Sequence, residues 1–170
     1  MDLIAKNHQL RRVKADDCQL VQDIQARASV AKIPSYQFLW GDMLAHGVCV
    51  KSNVTQGLNY LQKAADQGLP EAMEQLGRYY ATGQWVQRDY PRAMALLRMA
   101  TRDHNIKAAL RFADLASRGH GIPQDKALAY RVLKDAVITD RRQHYRAALL
   151  IKKLQGQLPP SVLANLTPLK

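Results

Sequence analysis

Apolar residues recur along this chain at three- and four-residue spacing, in blocks broken by glycine. Between 70 and 82, Ala72, Leu76, Tyr79 and Tyr80 fall on one side of a predicted helix. Gly83 then ends it, because glycine takes a left-handed conformation at low cost. The loop Gln84-Trp85-Val86-Gln87-Arg88 follows. Asp89 is placed to N-cap a second helix, with Pro91 in its first turn. Over 90–102, Ala93, Leu96, Leu97 and Ala100 turn inward in the same way. Small residues at 77 and 93 let the two helices approach closely.

The block recurs when the chain is displaced by 36 residues, and no gap is needed. Pro34 falls on Pro70. Trp40 falls on Leu76 and Phe112, Gly41 on Gly77 and Ala113, Gly47 on Gly83 and Gly119. Asn53 falls on Asp89 and Asp125, and Ala64 on Ala100 and Ala136. The third copy carries Gly119, Gly121, Asp125, Ala129, Val132 and Leu133 in the same roles. One hairpin cannot bury its own apolar face, whereas stacked neighbours can. The expected architecture is therefore all-α: a right-handed α-solenoid of helical hairpins. Its repeats span 34–69, 70–105 and 106–141. Residues 17–32 align with the second helix of a repeat and 142–155, more weakly, with a first helix, so both act as caps of a solenoid over 17–155. An N-terminal arm over 1–16 precedes it. Pro159-Pro160 stops the last helix, which leaves 156–170 as a C-terminal tail.

Charge adds an asymmetry. The chain has 25 basic and 14 acidic residues, a formal +11, and every acid lies at or before Asp140. Arg141, Arg142, Arg146, Lys152, Lys153 and Lys170 follow with no acid among them. An acid-free end suits an acidic partner surface, and a merely solvated basic helix face is the plainer alternative. No apolar run reaches the roughly 18 residues of a membrane span. The N-terminus lacks the basic and apolar regions of a secretion signal, which fits either a cytoplasmic protein or a mature, processed chain.

The block resembles the Sel1-like repeat, a relative of the tetratricopeptide repeat. The residues that carry the likeness are Ala72, Leu76-Gly77, Tyr80, Gly83, Val86, Asp89 and Ala93. They recur as Gly119-His120-Gly121-Ile122 with Asp125 and Ala129. A narrower likeness runs through Val13 to Ile24, Tyr36 to Val50, Gln67-Gly68-Leu69-Pro70 and Gln75 to Tyr80. These stretches resemble the MotX family, periplasmic Sel1-repeat proteins of polar, typically sodium-driven flagellar motors. The resemblance implies a secreted protein that pairs with MotY in a ring around the basal body. It also implies contact with neighbouring copies, and help in installing the ion-conducting stator subunits. A generic Sel1 adaptor in another envelope or regulatory pathway is the alternative.

The resemblance implies a bridge between Cys18 and Cys49, the two cysteines of the chain. The repeat register agrees. Cys18 begins the lone N-terminal helix and Cys49 lies in the turn of the first hairpin, so both fall at one edge. Two reduced, buried thiols are the alternative. A zinc site lacks ligands, since His46 near Cys49 has no third or fourth partner at ligand spacing.

Other chemistry is thin. His8, His46, His104, His120 and His144 are scattered, and no nucleophile elbow, zinc-protease motif or phosphate loop is present. No catalytic, cofactor or metal residue is expected. Asp89 and Asp125 read as helix caps and His120 as a turn residue. Trp40, Tyr79, Tyr80, Tyr130 and Tyr60 read as core or helix-interface residues. Trp85, in the loop that holds Cys49 in the first repeat, either folds over its hairpin or anchors a partner. Candidate partner contacts are Trp85 in this loop, Arg78, Lys107 and Arg111 on the first helices, and Arg141, Arg142 and Arg146 on the basic cap. An enzymatic, β-lactam-binding reading would need a cysteine pair in every repeat, which the second and third lack. Nucleic-acid binding through the basic end is disfavoured by the periplasmic resemblance.

Overall fold

A computed structural model describes residues 18–166, so the arm expected over 1–16 and the end of the tail lie outside the described residues. Nine helices and no strand occur among the described residues. They are α1 (Val21–Ser29), α2 (Pro34–His46), α3 (Val54–Asp66), α4 (Pro70–Thr82), α5 (Tyr90–Arg102), α6 (Ile106–Ser117), α7 (Pro123–Asp135), α8 (Arg141–Gln155) and α9 (Pro160–Leu166). The fold is an α-solenoid. Its chain divides into two compact units, the first ending at Leu76 and the second beginning at Gly77.

In the first unit, α2 and α3 form a hairpin whose backbones nearly touch. A Cβ on Gly41 would lie 2.7 Å from the Gly57 carbonyl, and one on Gly57 2.6 Å from the Gly41 carbonyl. The crossing therefore needs glycine on both helices. The cap helix α1 packs on α2 through Ile24 and Ala28, which share a core with Trp40, Met43 and Leu44. Tyr60 packs half-buried against this cluster. Gln37, buried, donates to the Ala28 carbonyl and accepts from Gln67 Nε2, so polar groups at the cap are satisfied. Arg27 adds an exposed tie, pairing with Asp23 while its guanidinium lies 5.1 Å from the Tyr36 ring centre. The hydrogen bond that Arg27 donates to Asp23 holds the Arg27 pKa above its ordinary value.

In the second unit, Gly77 faces Leu97 across the equivalent crossing, 2.7 Å from a notional Cβ to its Cγ. Tyr79, Leu97, Phe112 and Leu154 are wholly or almost wholly buried. α8 packs on α6 and α7, and α9 packs on α7. Helix starts follow the expected chemistry at three places in this unit. Asp89, Asn105 and Asp140 accept from the backbone N–H groups of Arg92, Ala108 and Gln143.

Asp125 caps its helix from a different position than Asp89 does. It is the third residue of α7 and not its N-cap, because Pro123 starts the helix early. Its carboxylate reaches back to the Ile122 N–H at 2.9 Å and takes two hydrogen bonds from Arg98 at 2.8 and 2.7 Å. That bidentate pair joins α5 to α7. It holds the Arg98 pKa above its ordinary value, so the guanidinium keeps its charge throughout the accessible pH range. The chain beyond Gln155 also departs from a plain tail. α8 ends at Gln155 with Gly156 as its C-cap, ahead of the prolines, and Pro160 then opens α9, since proline is pre-organised for a helix's first position.

Candidate functional site

The left-handed backbone positions mark the loops. Gly47, Gly83 and Gly119 have positive φ at the 36-residue period, and Cys49, Trp85 and Gly121 form a second such series. The non-glycine members hold φ at 59° for Cys49 and 62° for Trp85. Side chains rarely adopt this conformation, and each instance costs about 1–2 kcal/mol. Cys49 uses its position to bond Cys18, with Cα atoms 5.5 Å apart. The bridge ties the turn ahead of α1 to the turn after α2, at one edge of the first hairpin.

Trp85 uses the equivalent position to lay its indole against Tyr79, edge to face, with ring centres 5.0 Å apart. It folds over its own hairpin and still leaves 37% of its surface exposed. Arg78 stands beside the same pair. Its guanidinium lies 4.3 Å from the Tyr79 ring centre and donates to Gln84 at 2.7 Å. Arg78, Tyr79 and Trp85 thus form one aromatic and cationic cluster at the end of α4. Lys107 and Arg111 are one turn apart on α6, and both are half-buried. Arg141, Arg142 and Arg146 lie on α8, exposed to solvent.

Other aromatic contacts were not anticipated. His120 stacks on Tyr90 at 3.8 Å, so the turn histidine also packs across the loop into the start of α5. Arg92 lies 4.4 Å from the Tyr80 ring centre. His46 Nδ1 is 3.1 Å from the buried Asp42 carboxylate, which also accepts from Gln75 Nε2. The exposed Tyr145 and Leu149 on α8 also escaped the sequence reading. Their signal was the four-residue spacing between them, interleaved with the arginines. Among the described residues, no cluster of His, Cys, Asp and Glu has the makings of a metal site, and no helix is long and apolar enough to cross a membrane.

The described residues present aromatic faces, guanidinium groups and a basic helix. Paired helices with small residues at the crossing and a left-handed turn between them define a Sel1-type repeat protein. The Sel1 repeat model matches residues 34–69, 70–105 and 106–131. Two crystal structures share the fold at 21% identity. A Sel1 repeat protein from Oxalobacter formigenes has a TM-score of 0.62, over 86% of this chain and 96% of that one. A protective antigen of uropathogenic Escherichia coli with an SLR fold has a TM-score of 0.57, over 82% of this chain and 34% of that one. The sodium-type polar flagellar protein MotX of Vibrio parahaemolyticus is 49% identical over 163 residues, covering 96% of this chain and 77% of that protein. The chain belongs to the MotX family of Sel1-repeat proteins.

Proposed function

We propose that this chain is a non-catalytic structural component of a polar flagellar motor. It holds partner proteins in the periplasmic ring around the basal body. The carrying observation is the 49% identity to a sodium-type polar flagellar protein over nearly the whole chain. In this reading the chain binds MotY and neighbouring copies of itself. The resulting ring recruits or steadies the stator subunits whose ion flow drives rotation. The Cys18–Cys49 bridge supports a periplasmic location, because disulfides persist in oxidising compartments. The Arg78 and Trp85 cluster, Lys107 and Arg111 on α6, and the basic residues of α8 are the proposed contact groups. Hairpins 34–69, 70–105 and 106–141 serve as the holding frame, with 17–32 and 142–155 as its caps.

The test is genetic and biochemical together. In a polar flagellate lacking its own MotX-family gene, this chain with a secretion signal should restore swimming. It should also co-purify with MotY from the periplasmic fraction. Reversing Arg141 and Arg142 to Glu should weaken that complex without unfolding the chain. A chain that is exported and folded but neither restores swimming nor retains MotY would overturn the reading.

A further inference from the structure

α8 presents two unlike faces. Ala147, Leu150 and Leu154 are buried and seat the helix on α6 and α7. Away from them, Arg142, Tyr145, Arg146, Leu149, Lys152 and Lys153 are all exposed. Their spacing of three, one, three, three and one residues places them on a single outer face. Leu149 and Tyr145, one turn apart, are 53% and 68% exposed. They make an apolar centre with four cations around it. No carboxylate pairs with those cations among the described residues, and α8 itself contains no acid.

We infer that this outer face is a docking surface for an acidic, amphipathic helix of a partner protein. The inference rests on the scaffold reading above and adds the chemistry of one contact. A ligand for this face must cover a leucine and a tyrosine and place carboxylates over the surrounding cations. A helix with apolar residues at three- and four-residue spacing, flanked by Glu or Asp, does both. This is the common anatomy of an interface: an aromatic and aliphatic centre within a charged rim. A second copy of the chain fits poorly. A symmetric contact through this face would set cation against cation, between molecules of formal charge +11. A lipid surface also fits less well. Helices that lie in membranes bury a continuous apolar stripe, and this face offers two large apolar side chains.

Two labelled peptides test the inference against the intact chain by fluorescence anisotropy. The first is a glutamate-rich helix with leucine at three- and four-residue spacing. The second replaces each leucine by glutamine and keeps the charge. The chain should bind the first at least about tenfold more tightly, the difference expected from filling one apolar hot spot. Leu149→Ser and Arg146→Glu should each weaken binding about tenfold. Arg102→Glu, an exposed charge reversal on α5, should leave it within about twofold. All three side chains are exposed, so unchanged melting curves are expected and exclude misfolding. Equal binding of the two peptides would reduce the face to a plain charge patch and overturn the inference. So would binding to phosphatidylglycerol vesicles that is tighter than peptide binding and lost with the same substitutions. Swimming assays separate this inference from the motor reading. If the chain restores motility and the Leu149 and Arg146 variants restore it equally, the docking face falls while the motor assignment stands.

Discussion

At the residue scale, backbone conformation explains several otherwise odd side chains. Lys32, Gly68 and His104 recur at the repeat period and all have positive φ. Glycine fills the middle position without strain. His104 holds φ at 60° and is exposed, so its side chain gains little in return. His104→Gly should therefore stabilise the second unit by about 0.5–1 kcal/mol, read as a higher urea midpoint. Asp125 is the opposite case, a buried carboxylate whose partners are all protein groups. Asp125→Ala removes the Arg98 pair and the Ile122 N–H acceptor together. Arg98 retains some access to water, so the expected loss is about 2–4 kcal/mol, below that of a wholly buried pair. A thermal melt within error of the parent would contradict this account of Asp125. The sequence pattern put Asp125 in register with Asp89, and the register was real. It caps α7 from the third position of the helix and not from ahead of it, because Pro123 moves the start of α7, and a period alone carries no information about where a helix begins.

At the element scale, the hairpins are set by the size of residues at each crossing. Gly41 and Gly57 meet in the first repeat and Gly77 faces Ala93 and Leu97 in the second, while the 36-residue register puts Ala113 and Ala129 at the equivalent positions of the third. The first crossing is the least tolerant, because an added Cβ would strike backbone on the opposing helix. Gly57→Ala should cost about 1–3 kcal/mol despite the better helix propensity of alanine. Urea unfolding monitored by circular dichroism would show it as a lower midpoint. The bridge acts on the neighbouring element. Replacing both Cys18 and Cys49 by Ser should cost roughly 3–4 kcal/mol in the chain-entropy model. Amide exchange should rise first in α1, whose attachment depends on that edge, and unchanged protection there would count against the capping role. The hairpins were legible because each recurs with its core positions. α9 was not, because a Pro-Pro pair reads equally well as the end of one helix and the start of another. The outer face of α8 was half legible: its cations stood out by composition, while Tyr145 and Leu149 needed the helix orientation to show that they point outward.

At the scale of the whole molecule, repetition accounts for the fold, and in the proposed reading the departures from repetition serve the function. The regular positions are small, apolar or capping residues, and they would serve any Sel1 scaffold. The departures are the cysteine at the first left-handed turn, the tryptophan at the second, and the acid-free α8. Trp85 keeps 37% of its surface exposed and the basic residues of α8 face solvent. The central claim is that these surfaces hold motor proteins together, and MotY is the partner through which to test it. The direct measurement is size-exclusion chromatography with light scattering on the exported, oxidised chain mixed with purified MotY. The account predicts a single complex of fixed stoichiometry that weakens as salt rises, since basic side chains contribute to the contact. Two separate monomer peaks at every salt concentration, with both proteins folded, would contradict it.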